Sequence, residues 1–185
     1  MARSMLAPLK GDQRERLVAA MAEVERLLTA STVEIRAVDP DGELARHCLG
    51  AYLRELDDRF DGGFDPAGSL PADAGDLRPP AGVFLVAALQ GEPVGCGALK
   101  FHGDAPTELK RMWVSPEARG VGLGRRLLGE LERHAAEQGA RCIRLETNRA
   151  LPEAVAMYRS AGYREVDAFN HEPYADHWFE KELTT

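Results

Sequence analysis

Apolar residues recur along this chain with two periods, and the switches between them mark its elements. Residues 13–28 carry Leu17, Met21, Val24 and Leu28 at a spacing of about 3.6 residues, which predicts an amphipathic helix ended by Ser31 and Thr32. Residues 33–37 alternate as a first strand. Asp39-Pro40-Asp41-Gly42 turns the chain, and residues 44–56 form a second helix. Residues 60–80 are rich in Gly, Pro and Asp and show little periodicity. They predict a long loop, of the kind that serves function or moves. Residues 83–89 and 94–101 read as two strands of a hairpin joined by Gln90-Gly91-Glu92-Pro93. A strand at 108–114 and a loop at 115–118 follow. A helix at 124–138 then carries Leu127, Leu128, Leu131 and Ala135 on one face and stops at Gly139. Residues 141–147 form a strand. A helix opens at Pro152 and closes at Gly162, and strands at 163–166 and 177–183 complete the chain. The order predicts a mixed α/β fold with an antiparallel first half and no internal repeat.

At 185 residues the chain suits one domain with a core that needs neither disulfides nor a structural metal. Its apolar fraction of 44% and charged fraction of 29% place it with ordinary globular proteins. The most apolar stretch, 82–99, is broken at residues 90–93, so it predicts strands rather than a membrane span. Residues 1–10 lack the long apolar region of a signal peptide. Cys48, Cys96 and Cys142 are odd in number and widely spaced, which argues against a disulfide framework or a zinc cluster. They are expected to be buried thiols of a cytoplasmic protein. A net charge of −7 opposes nucleic-acid binding, which needs a cationic face, and fits a cationic amine substrate.

Chemistry concentrates in Arg119-Gly120-Val121-Gly122-Leu123-Gly124-Arg125. Glycines permit positive φ and let main-chain N–H groups approach an anion. The following helix points its positive end at the same place, and two arginines add charge. Physics alone gives a phosphate or pyrophosphate cradle. A Walker A loop is absent. A dinucleotide fingerprint would need its third glycine at Arg125 and a start directly after a strand, although Glu146 ends a strand at a suitable distance for a ribose contact.

The pattern [RQ]-x-x-G-x-[GA], matched by Arg119, Gly122 and Gly124, resembles the acetyl-CoA site of the GCN5-related N-acetyltransferases (GNAT). So do Val114 and Pro116 before the turn, the strand after the helix, and the run AVAMYRSAGY at 154–163, which is similar to A-x-x-L-Y-x-x-x-G-[FY]. The resemblance spans about residues 33–183. It implies a GNAT fold: a mixed, mostly antiparallel sheet flanked by helices, with strands 108–114 and 141–147 parallel and splayed so that CoA enters between them. It also implies acetyl-CoA as cosubstrate, bound by the main chain of Met112, Trp113 and Val114 and by the turn residues Arg119, Gly120, Val121, Gly122, Leu123, Gly124 and Arg125. Tyr158 matches the tyrosine placed near the thioester sulfur. The family often carries Asn where Leu151 stands here, and Asn148 is the nearby candidate for that contact.

An amine must lose a proton to attack a thioester, and the leaving thiolate gains one. Tyr158 is the candidate acid. Glu108, at the start of its strand, is the candidate base, and Glu146 the second choice, each acting directly or through water. Glu108, Glu146 and Tyr174 are expected to meet the acceptor, whose specificity is assigned to residues 60–80 and 169–174. His171 and His177 do not form a metal motif, and no metal is expected.

Residues 6–30, through the run at 9–28, resemble the C-terminal dimerisation helix of MarR-type regulators, as found in MarR–GNAT fusions. The expected organisation is a helical extension at 1–31, open to homodimer formation, and an acyltransferase domain at 32–185. The expected function is transfer of an acetyl group to the amine of a small molecule or peptide, without membrane or nucleic-acid partners. The alternatives are an acyl-CoA-sensing module without turnover and a nucleotide-binding oxidoreductase.

Overall fold

A computed structural model describes residues 10–70 and 72–183. The elements are α1 (Gly11–Ser31), β1 (Glu34–Ala37), α2 (Glu43–Arg59), β2 (Gly82–Leu89), β3 (Glu92–His102), β4 (Ala105–Val114), α3 (Leu123–Glu137), β5 (Cys142–Thr147), α4 (Pro152–Ser160), β6 (Arg164–Val166) and β7 (His177–Glu182). The strands form a seven-stranded sheet in the order β1-β2-β3-β4-β5-β7-β6. Neighbours are antiparallel except β4 and β5. This is the mixed α/β order that the sequence predicts, with the one parallel pair that the resemblance implies.

Both faces of the sheet are covered, which explains why β2 reads as a continuous apolar run rather than an alternation. Leu85, Leu99, Leu109, Ile143, Leu145 and Phe179 pack with Leu127, Leu128 and Leu131 of α3 and with Val155 and Tyr158 of α4. On the other face, Phe84, Val86, Ala98 and Trp113 pack with Ala45 and Cys48 of α2. Leu131 is fully buried, and a Cβ on Gly97 would lie 2.6 Å from its Cδ1, so helix and strand are in close contact there. Leu131→Ala is expected to cost about 2–5 kcal/mol, read as a lower urea midpoint with an unchanged slope.

Two turns are tighter than the sequence reading. Gln90 (φ 52) and Gly91 (φ 90) make a two-residue hairpin loop, because paired positive φ values match the twist of the flanking strands. Glu92 and Pro93 therefore belong to β3, with Pro93 beside a register shift at Ala87/Ala88, where a missing N–H is tolerated. Gly103 and Asp104 close a second hairpin, with His102 paired to Ala105, so β4 begins before Glu108. Among its described residues, the long segment 60–80 holds one short 3-10 turn, Pro66–Gly68. Cys48 and Cys96 are buried free thiols, while Cys142 is only half-buried.

Helix α1 leaves Val18, Met21, Val24 and Leu28 exposed. Residues 6–9 lie outside the described residues, as do most of the residues weighed for a signal peptide. Among the described residues, no helix is long and apolar enough to cross a membrane.

Candidate active site

Strands β4 and β5 pair only at Thr107↔Ile143 and Glu108↔Arg144. Beyond these pairs the strands part, and the cause is a bulge in β4. Cys96 pairs with Trp113 and Ala98 with Lys110, so β4 carries one residue more than β3 across the interval. Arg111 sits in it at φ 57, a conformation costing a non-glycine residue about 1–3 kcal/mol. The Cys96 thiol donates to the Arg111 carbonyl at 3.2 Å.

The parted strands open a cavity of about 530 Å³. Its walls are Met112, Trp113 and Val114 of β4, Gly120, Gly122, Leu123, Gly124 and Arg125 of the turn, and Leu151, Ala154 and Met157 at α4. Gly120 (φ 79) and Gly122 (φ 82) both take left-handed backbone. Gly122 is the N-cap of α3, and no side chain caps the helix. Its first recorded return bond runs from the Arg126 N–H to the Gly122 carbonyl at 3.0 Å. Among the described residues no acceptor is recorded for the N–H groups of Leu123, Gly124 and Arg125. Helix ends leave such donors free for an anion. The Arg125 guanidinium lies at the same mouth and donates to Ser160 Oγ at 2.7 Å. Val121 packs its side chain against the core near Leu123 instead of lining the cavity.

Arg119 faces the cavity but is pinned. It donates from Nε to the Val114 carbonyl at 2.9 Å and from its guanidinium to Glu55. Glu55 also accepts from Trp113 Nε1 at 2.8 Å and from Arg59 at 2.9 Å. Burial would raise the Glu55 carboxyl, but these bonds from Arg119, Arg59 and Trp113 outweigh it and hold the group below its ordinary value. Glu55 thus ties α2 to the end of β4 and to the glycine turn. Sequence reasoning missed it, although Tyr52, Glu55, Leu56 and Arg59 follow helical spacing on α2.

A smaller polar pocket of about 90 Å³ adjoins the groove. Tyr52, Leu56, Met112, Leu151 and Ala154 line both. Tyr158, Glu146, Asn148 and Tyr174 line the small pocket; Glu108 does not. Glu108 instead accepts from Arg144 at 2.7 Å, with Lys110 at 3.4 Å and His102 at 3.5 Å. Glu146 pairs with Lys110 and accepts from Asn170 Nδ2 at 3.3 Å. Asn148 donates to the Tyr174 carbonyl at 2.7 Å and accepts from the Ala150 N–H at 2.8 Å, so it braces the pocket wall and does not face the groove.

The Tyr158 ring packs against Tyr163 and Phe179. Among the described residues no hydrogen bond is recorded from its hydroxyl. Burial, with Tyr52 and Glu146 nearby, pushes its phenol well above the ordinary value. Burial likewise pushes Tyr52 up to about 12, against the pull of Arg111.

The two segments assigned to the acceptor meet over this pocket. Glu172 accepts from Ser69 Oγ at 2.9 Å and from the Leu70 N–H at 2.8 Å. The Tyr174 hydroxyl accepts from the Asp65 N–H at 3.0 Å, and its ring clusters with Phe60 and Phe64. Among the described residues no group of His, Cys, Asp or Glu is arranged to hold a metal ion.

The model of the acetyltransferase (GNAT) family matches residues 50–163, which include the groove, the turn and Tyr158. The chain belongs to the GNAT acetyltransferase family. It is therefore an acyltransferase, with relatives named N-acetyltransferase. It is 39% identical over 124 residues to the IAA acetyltransferase of Azospirillum brasilense, a match covering 66% of this chain and 79% of that one. A structure assigned as an acyl-CoA N-acyltransferase from Klebsiella pneumoniae superposes with a TM-score of 0.68 at 29% identity, covering 82% of this chain and 98% of that one. The PaiA N-acetyltransferase of Thermoplasma acidophilum, solved with coenzyme A, shares the fold at a TM-score of 0.63 and 20% identity, covering 81% of this chain and 98% of that one.

Proposed function

We propose that this acetyltransferase uses acetyl-CoA and moves the acetyl group directly to the amine of a small molecule or peptide. The observation that carries this reading is the junction of the two cavities. A large groove ending on free helix N–H groups adjoins a small polar pocket, and Tyr158 and Glu146 stand in the wall of that pocket. Acetyl-CoA would supply an activated acyl thioester. The Leu123, Gly124 and Arg125 N–H groups and the Arg125 guanidinium hold its pyrophosphate, while Met112, Trp113 and Val114 line the path of the pantetheine arm. A main-chain N–H at the β4 bulge polarises the thioester carbonyl. Glu146 accepts the proton of the attacking amine, directly or through water, and Tyr158 gives one to the departing sulfur. Glu108 is paired with Arg144 and does not line the pocket, which favours Glu146 for that role. Holding both reactants across the junction supplies much of the rate.

The exposed Val18, Met21, Val24 and Leu28 support reading residues 1–31 as an appended docking helix and 32–185 as the acetyltransferase unit. The free thiols suit a reducing, cytoplasmic setting.

Titrating acetyl-CoA and NADH separately by calorimetry tests the reading. Micromolar binding of acetyl-CoA alone is expected, followed by amine-dependent thiol release. Folded protein that ignores acetyl-CoA would overturn the proposal. Tight binding without release to any amine would favour a sensor.

A further inference from the structure

The small pocket contains two cationic side chains, Lys110 and Arg111, and two carboxylates, Glu146 and Glu172. Three of these charges are already answered. Lys110 and Glu146 pair with each other. Glu172 accepts from Ser69 Oγ, the Leu70 N–H and, at 3.3 Å, the Tyr174 N–H. Arg111 makes no ion pair among the described residues; its side chain reaches the Tyr52 phenol, and the Cys96 thiol is also nearby.

The backbone makes this placement specific. Strict alternation along β4 would send Arg111 to the face of Leu109, which packs in the core under α3 and α4. The bulge, with Arg111 at φ 57, leaves it lining the pocket beside Tyr52 instead. A guanidinium held there offers a planar fork of donors, a shape that matches a carboxylate. A pocket of about 90 Å³ has room for little more than a small amine and that group.

We propose that the acceptor is a small amino carboxylate, such as an α-amino acid, whose carboxylate is bound by Arg111 while its amine faces Glu146 and Tyr158. This rests on the acetyltransferase reading above and narrows its acceptor. It also departs from the cationic acceptor that the net charge of the chain suggests. The acidic residues nearest the amine are already occupied, and the unanswered charge is positive.

The test compares α-amino acids with their carboxamides, their decarboxylated amines and aminoalkyl phosphates, using thiol release from acetyl-CoA. A second readout, independent of turnover, is the thermal shift each compound gives to the CoA complex. The carboxylate form is expected to exceed its carboxamide by roughly 10- to 100-fold in kcat/KM, the range of a charge-assisted hydrogen bond. Arg111→Gln is expected to remove that preference mainly through KM and to leave acetyl-CoA affinity unchanged. Arg111→Lys should restore part of it. Amides, simple amines or phosphates performing as well as carboxylates would overturn the proposal. So would a carboxylate preference that survives Arg111→Gln, or a CoA complex that no carboxylate shifts. Failure to bind acetyl-CoA would instead strike the reading beneath it.

Discussion

Replacing Gly122 with glutamate is expected to weaken acetyl-CoA binding by about 100-fold or more, equivalent to roughly 2.7 kcal/mol. Two effects add. Gly122 sits at φ 82 as the N-cap of α3, where a residue with a Cβ costs about 1–3 kcal/mol. The new carboxylate would also stand beside the free N–H groups of the first helical turn, competing for them and repelling a pyrophosphate. Steric conflict within the protein is not part of the effect, since a Cβ at Gly122 meets nothing within 4 Å. Gly122→Ala separates the two. It carries the same backbone cost, read as a melting point lower by a few degrees, with only a several-fold loss of affinity. Equal weakening by alanine and glutamate in calorimetry would show that charge at the helix end is irrelevant. Undiminished affinity in folded Gly122→Glu would place the pyrophosphate elsewhere.

Tyr158→Phe is expected to lower kcat by about 10²- to 10⁴-fold, the range for loss of a positioned general acid, with acetyl-CoA affinity changed only several-fold. Phenylalanine keeps the contacts with Tyr163 and Phe179, so the melting temperature should hardly move. A large stability loss with normal turnover would make Tyr158 a packing residue and no more. The sign of the pH dependence follows from burial. The phenol is pushed above its ordinary value, so its proton is retained through neutral and moderately alkaline pH. Its ionisation should therefore produce no fall in kcat below about pH 10. A falling limb near neutrality that vanishes in Tyr158→Phe would contradict this assignment.

The features legible in the sequence are those decided over a few residues. Helix α3 is written in the spacing of Leu127, Leu128, Leu131 and Ala135, and its glycine-rich start in Gly120 and Gly122, because positive φ and free helix N–H groups are local properties. The antiparallel first half was legible in its hairpin, whereas the insertion of β7 between β5 and β6 was not, because it depends on pairing between remote segments. Where the reading slipped, the signal was still local. Gln90-Gly91 and Gly103-Asp104 are two-residue turns whose backbone needs no neighbours.

The roles of the charged residues were not legible, because a carboxylate is defined by its partners. Glu108 and Glu146 look alike as strand residues. Folding commits Glu108 to Arg144 outside the pocket and pairs Glu146 with Lys110 in the pocket wall. Asn148 stands near the expected contact in sequence, yet its amide braces Tyr174, on another loop. Glu172 and Ser69 are 103 positions apart and meet over the pocket. Arg111 turns toward Tyr52 through a bulge that pairing with β3 creates. The sequence by itself determined the helices, the strands and the glycine-rich turn, since steric limits on φ and the periods of burial act within single segments. Only the tertiary structure decided which charges are spent on one another and which line the pocket, since those choices depend on distances between segments remote in the chain.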